Sequence, residues 1–212
     1  MKDAATFVQE LGEENEAYFR DLPTWSTSYW AKQLNRRGTI QALAVRYWNE
    51  YVGAEVIARF MARVDDPELK VLVGRQVGDE SKHAYYVRKR IEALGGNVGK
   101  PLPEQIAFYE ALDGFLHPEE FFSAQQFTVE TQSLKRNEQA LKNLDSETAE
   151  IFRKHINPDE HFHVRLGHKG MRFYCSDTAS QARATEAARL IRERHVAMSS
   201  ANHRIMSEAG WA

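Results

Sequence analysis

The chain has 212 residues, with 28 Lys and Arg against 30 Asp and Glu, a formal net charge of −2. That balance excludes the basic footprint of a nucleic-acid binder, and no apolar run approaches the ~18 residues that span a bilayer. A single cysteine, Cys175, excludes an internal disulfide framework and a Cys-rich iron centre within the chain.

Helical periodicity runs throughout, and the length suits one compact domain with a sizeable core. A first amphipathic segment covers Thr6 to Arg20. The stretch from Met1 to Asp21 is acidic and lacks the apolar core of a signal peptide, so cytoplasmic residence is expected. A Pro-Thr-Trp-Ser break at Pro23 and an aromatic stretch (Trp25, Tyr29, Trp30) complete an N-terminal helical arm, residues 1–35. The first long helix should begin near Arg37 to Gln41 and end near Val64, before Asp65-Asp66-Pro67. The second should run from about Pro67 to Leu94, stopped by Gly95-Gly96-Asn97. Gly99 to Pro103 opens a long crossover with a short helix around Glu104 to Leu112. Pro118 suits the first turn of the third long helix. The fourth should span Ser146 to Tyr174, with Pro158 removing a hydrogen bond and kinking it. A last helix, Ala182 to Glu208, is left with two uses: covering the bundle or forming a homodimer contact. The reading is all-α, one domain over 1–212, with a four-helix core at 36–175 and a C-terminal helix at 182–208.

The chemistry lies in a duplicated pattern. Glu50 is followed by Asp79-Glu80-Ser81-Lys82-His83, and Glu130 by Asp159-Glu160-His161-Phe162-His163. Residues three apart share a helix face, so Glu80 and His83 aim at one target, as do Glu160 and His163. Antiparallel helices joined at Asp65-Asp66-Pro67 return Glu80 to the height of Glu50, about 20 Å out and back at 1.5 Å per residue. The second half repeats this with its turn at Asp145-Ser146. By composition, Glu-x-x-His arises about once in such a chain and Asp-Glu-x-x-His only ~0.03 times, so two copies with matched glutamates are not accidental.

Four ionised carboxylates in a core repel strongly and need compensation. Two divalent cations would balance them, leaving two neutral imidazoles as further donors. Without thiolate, such a site suits iron or manganese. Asp79 and Asp159 are natural acceptors for an imidazole N–H, from their own or from the opposite motif. Arg46 and Gln126 each stand four residues before a glutamate, and Tyr47 stands one turn before Glu50. By periodicity Gln76, Asn137 and Asn157 fall near the inner face too. Gly53, Ala54, Ala84, Ser123, Ser133 and Gly167 near the ligands either leave room for substrate or permit close helix packing. His161 should face elsewhere, and Arg192-Glu193-Arg194 reads as a solvated charge cluster.

Over about residues 36 to 175, this ligand pattern resembles the ferritin-like di-iron carboxylate superfamily, whose bundles carry a Glu on two helices and Glu-x-x-His on the other two. The resemblance implies a ferritin-like four-helix bundle with one long crossover. It implies ligation of two iron ions, with manganese or a mixed pair as alternatives, by Glu50, Glu80, His83, Glu130, Glu160 and His163. Such folds host several functions. The leading expectation is a cytoplasmic oxygenase or oxidase using O2 on a small organic substrate. Its electrons would come from a separate reductase or ferredoxin, because no flavin, nicotinamide or Cys-cluster motif is visible. Iron oxidation and storage, or a rubrerythrin-like peroxidase, are the alternatives. The aromatic arm and long C-terminal helix count against a minimal storage bundle, and the missing rubredoxin-type cysteines against the peroxidase.

Overall fold

The computed structural model describes residues 2–26 and 28–211, and they are all-helical with no strand among them. There are seven helices: α1 (Ala4–Arg20), α2 (Arg36–Met61), α3 (Pro67–Ala93), α4 (Pro103–Asp113), α5 (residues 118–140), α6 (residues 146–174) and α7 (Thr178–Glu208). Five of these starts follow from short polar caps. Asp3, Asn35, Asp66, Asp145 and Asp177 each accept a hydrogen bond from the backbone N–H three residues on, satisfying a donor that the first turn leaves free. Gly95, at φ +71°, ends α3 in the left-handed conformation that glycine adopts without a Cβ penalty, and Gly96 N–H closes on Ile91 O at 2.9 Å. The last helix begins at Thr178, earlier than its apolar pattern indicates, because Asp177 caps it.

α2 and α3 form one antiparallel hairpin and α5 and α6 the second. α7 lies along α4 and the N-terminal half of α5, so it covers the bundle. Two apolar clusters fill the interior. One holds Phe7 and Leu11 of α1, Phe60, Val73, Phe122 and Leu166. The other holds Trp30, Leu43, Val87, Ile91, Phe152 and Ile156. On each bundle helix the motif residues fall where the chain passes from one cluster to the other. Glu50 lies between Tyr47 and Val56, and Glu80 and His83 between Val73 and Val87. Glu130 lies between Phe127 and Ala140, and Glu160 and His163 between Ile156 and Leu166. The polar centre is thus sandwiched by apolar layers that exclude water.

Two segments depart from the regular helices expected. Phe122–Val129 in α5 and Phe152–Ile156 in α6 are π-helical, with Glu130 N–H bonding Gln125 O and Asn157 N–H bonding Phe152 O. Pro158 stands directly after the second. Its missing N–H is the local reason the ladder changes there, and the expected irregularity takes the form of a widened turn. Close packing accompanies the first. A Cβ on Gly167 would lie 2.6 Å from the backbone carbon of Gln126, and one on Gly170 would lie 2.3 Å from the Phe122 ring. α6 therefore seats directly on the π segment of α5.

Candidate metal centre

The six motif residues converge, and all six are buried. Glu50, Glu80 and His83 offer one ligand atom each within 4.8 Å of one another, and so do Glu80, Glu130 and His163. Glu80 belongs to both triads and joins them. His83 Nδ1 lies 3.3 Å from Glu50 Oε2 and 3.6 Å from Glu80 Oε2. His163 Nδ1 lies 3.4 Å from Glu80 Oε1, 3.6 Å from Glu160 Oε2 and 4.0 Å from Glu130 Oε2.

Both rings present Nδ1 to the carboxylates and Nε2 outward. His83 Nε2 lies 3.1 Å from Asp159 Oδ2 and 3.1 Å from His155 O. His163 Nε2 lies 3.5 Å from Asp79 Oδ2. Each Asp thus faces the histidine of the opposite motif, Asp159 through a hydrogen bond and Asp79 at ion-pair distance only. A ring donating through Nε2 keeps Nδ1 free to bind a metal. Lys82 and Arg75 reach both aspartates from the surface.

Arg46 is drawn furthest in. Its guanidinium pairs with Glu50 and with Glu160. It therefore touches two motif carboxylates themselves, where the matching position in the second half, Gln126, reaches them only through Gln76. Gln126 Nε2 donates to Gln76 Oε1 at 3.1 Å. Gln76 Nε2 lies 3.1 Å from Glu80 Oε1 and 2.8 Å from Glu130 Oε1, which also accepts from Gln125 Nε2 at 2.9 Å. The pseudo-twofold of the motifs is broken by this one cation.

The carboxyls are driven apart in acidity. Burial pushes Glu50 up to about 7 against the pull of Arg46, and burial with Glu160 and Glu80 nearby raises Glu130 well above its usual range. Burial raises Glu80 as well, yet His163 and His83 hold it at about 2. Arg46 and His163 likewise outweigh burial and depress Glu160. Burial opposes the charge on His163, but Glu80 and Asp79 lift it to about 9. Without a metal, the cluster thus holds itself together with protons on imidazoles and carboxyls. Metal ions would displace those protons. Glu160 Oε2 and His163 Nδ1 are buried without a hydrogen-bond partner, so the donor set fits hard or borderline divalent cations. With Arg46 counted, two dications more than neutralise the four carboxylates, which differs from the even balance the motifs alone suggest.

Other expectations are corrected. Tyr47 does not join the centre: its ring stacks on Tyr51 at 5.7 Å and it packs in the apolar cluster with Trp30 and Phe152. The tyrosine beside the ligands is Tyr109 on α4, whose hydroxyl donates to Asn49 O at 2.7 Å. Burial and then Glu50 push its pKa well above the usual value, making the phenol a weaker acid. Gly167 and Ser123 serve packing, Ser123 Oγ donating to Ala184 O at 2.6 Å. Gly53 and Ser133 line a cavity beside the ligands. Arg192, expected in solvent, is buried and pairs with Glu14. The cavity is also walled by Tyr29, Phe108, Arg136, His195 and Met198, which no motif spacing singles out. Among the described residues, no helix is long and apolar enough to cross a membrane. No protein-family model, curated protein or solved structure matches the chain.

Proposed function

We propose that the chain is a ferritin-like di-metal carboxylate enzyme that holds two iron ions and uses O2 to oxidise or hydroxylate a small organic substrate. Manganese or a mixed pair would suit the same donors. The observation that carries this reading is the pair of buried Glu/Glu/His triads sharing Glu80 and opening on a cavity lined by four of the motif glutamates. Bound iron would supply the redox chemistry that activates dioxygen.

The chain's own residues supply binding and orientation. Glu50 and His83 would hold one ion, Glu130 and His163 the other, with Glu80 between them. Arg46 restrains Glu160, and the Gln76 and Gln125 amides restrain Glu130 from one side, leaving its Oε2 free of them. Asp79 and Asp159 set the imidazole orientation. Phe108, Val129 and Met198 contribute apolar wall to the cavity. Electrons would come from an external reductase or ferredoxin.

The test is metal content together with anaerobic reduction and O2 exposure followed optically. Iron near two per chain with an O2-dependent transient absorption supports the reading. Iron uptake far beyond that, in a large assembly, supports storage instead. Rapid turnover of hydrogen peroxide without organic substrate supports a rubrerythrin-like peroxidase.

A further inference from the structure

Among the described residues, the three buried arginines each have carboxylate partners. Arg46 pairs with Glu50 and Glu160, Arg90 with Asp145 and Glu147, and Arg192 with Glu14. Arg136 has none. Its Nη1 bonds His195 Nε2, its guanidinium carbon sits 5.2 Å from the Phe19 ring centroid, and its Nη2 is buried with no hydrogen-bond partner. The guanidinium cannot shed its proton at neutral pH, so an unpaired cation is held beside the metal cavity at a standing cost.

The unsatisfied groups nearest to it are donors. Since Arg136 donates to His195 Nε2, that nitrogen is the acceptor of a neutral ring, and the ring proton sits on Nδ1. His195 Nδ1 and Asn137 Nδ2 are likewise buried without partners. Both residues, with Arg136 and Trp30, line the cavity that also exposes Glu50, Glu80, Glu130 and Glu160. Trp30 Nε1 is a further unpartnered donor. These four unsatisfied groups are donors, whereas the cavity's unsatisfied acceptors, Gln125 Oε1 and Glu160 Oε2, belong to its carboxylate end. The cavity is therefore two-ended, with carboxylates for metal on one side and a cation with spare donors on the other. Arg136 follows Glu130 by six residues, about 9 Å along the helix. The free volume is about 50 Å³, room for a compact ligand of a few heavy atoms, since one water needs roughly 10–15 Å³ on this measure.

We propose that this cavity takes a small organic anion, a carboxylate in the simplest case, with its charged group on Arg136, Asn137 and His195 and its remainder directed toward the metal centre. The assignment deepens the proposed function by naming its substrate class, and it rests on that reading only for the role of the metal. An anion there supplies the counter-charge that this half-buried guanidinium lacks among the described residues. A cationic or neutral substrate would leave it unpaired.

The experiment measures ligand-dependent thermal stabilisation and calorimetric affinity for acetate against its neutral counterpart acetamide. Wild type, Arg136→Gln and Arg136→Lys are compared as isolated and after chelation, with metal content determined on every sample. Acetate should stabilise wild type saturably and acetamide should not. Arg136→Gln should weaken acetate at least tenfold with metal content unchanged, and Arg136→Lys should retain part of the affinity. Equal binding of acetate and acetamide, or undiminished acetate affinity in Arg136→Gln, overturns the proposal. An acetate preference lost on chelation but untouched by Arg136→Gln would place the anion on the metals and overturn it too. Arg136-dependent acetate binding in a protein that takes up no metal would uphold this assignment and reject the metal reading. Stoichiometric metal without any acetate preference would do the reverse.

Discussion

Two glycine-to-alanine substitutions of identical chemistry should move stability in opposite directions. Gly167 and Gly78 both lie inside helices, α6 and α3. In an exposed helix interior, alanine is favoured over glycine by about 1 kcal/mol. Gly78 is exposed and a Cβ there meets nothing within 4 Å, so Gly78→Ala should gain about 1 kcal/mol. For a chain of this size that raises Tm by about 2–4 °C. At Gly167 the new Cβ would lie 2.6 Å from Gln126 C, 2.7 Å from its O and 2.8 Å from Phe127 N. Those are backbone atoms that cannot rotate aside, so α5 and α6 must separate. Overpacking of this kind costs up to about 3 kcal/mol, and the propensity gain offsets about 1. The net loss is about 2 kcal/mol, a Tm lowered by about 4–8 °C. Urea and thermal denaturation of both variants give the comparison. Gly167 also seats α6 on the π segment that leads into Glu130, so metal affinity should fall in the same variant. A Gly167→Ala protein as stable as Gly78→Ala would refute the close seating of α6 on α5.

Further outcomes follow from the same geometry. Arg46→Met leaves Glu50 and Glu160 buried without their cation and should destabilise the metal-free protein by about 3–5 kcal/mol, with much of the loss recovered by excess Fe(II); a melting series with and without metal checks it. Metal uptake at pH 7 should release protons, since His163 holds its proton up to about 9 and Glu130 is also raised; calorimetry in buffers of different ionisation enthalpy measures the number. Buried His195, whose pKa burial and Arg136 push well below 6.5, stays neutral when folded but takes a proton when unfolded. Its effect is absent above pH 6.5 and lowers stability as pH falls below that value, so His195→Gln should flatten the acid limb of a stability-versus-pH curve. The Cys175 thiol, buried and pushed up to about 12, should resist iodoacetamide at pH 8 in the native protein and react in urea, as mass spectrometry would show.

The parts of this site that depend on helical period were legible before any coordinates. Glu80 with His83, and Glu160 with His163, are matters of three-residue spacing. The matched heights of Glu50 and Glu80 follow from helix rise and a turn at Asp66-Pro67. The crossing of Asp79 and Asp159 to the opposite histidines was one option that the duplicated motif offered. What stayed hidden depends on contacts between distant segments. Arg46 finds Glu160 across 114 positions, and Arg136 meets His195 only because α7 folds back over α5. Periodicity gave Tyr47 the same standing as any inward residue one turn from Glu50, and packing against Tyr51 and Trp48 decided otherwise. The π segment at Phe122–Val129 has no composition signal of its own. Its traces are Gly167 and Gly170 on α6, whose missing Cβ atoms admit its backbone and its Phe122 ring.

The central claim is that two buried triads joined by Glu80 bind a metal pair. Elemental analysis of wild type and Glu80→Ala after anaerobic Fe(II) loading and desalting tests it most directly, with circular dichroism on the same samples to establish folding. Because Glu80 is common to both triads, wild type should retain about two iron ions per chain and the folded variant almost none. Wild type retaining no stoichiometric metal, or folded Glu80→Ala retaining as much as wild type, would contradict the account.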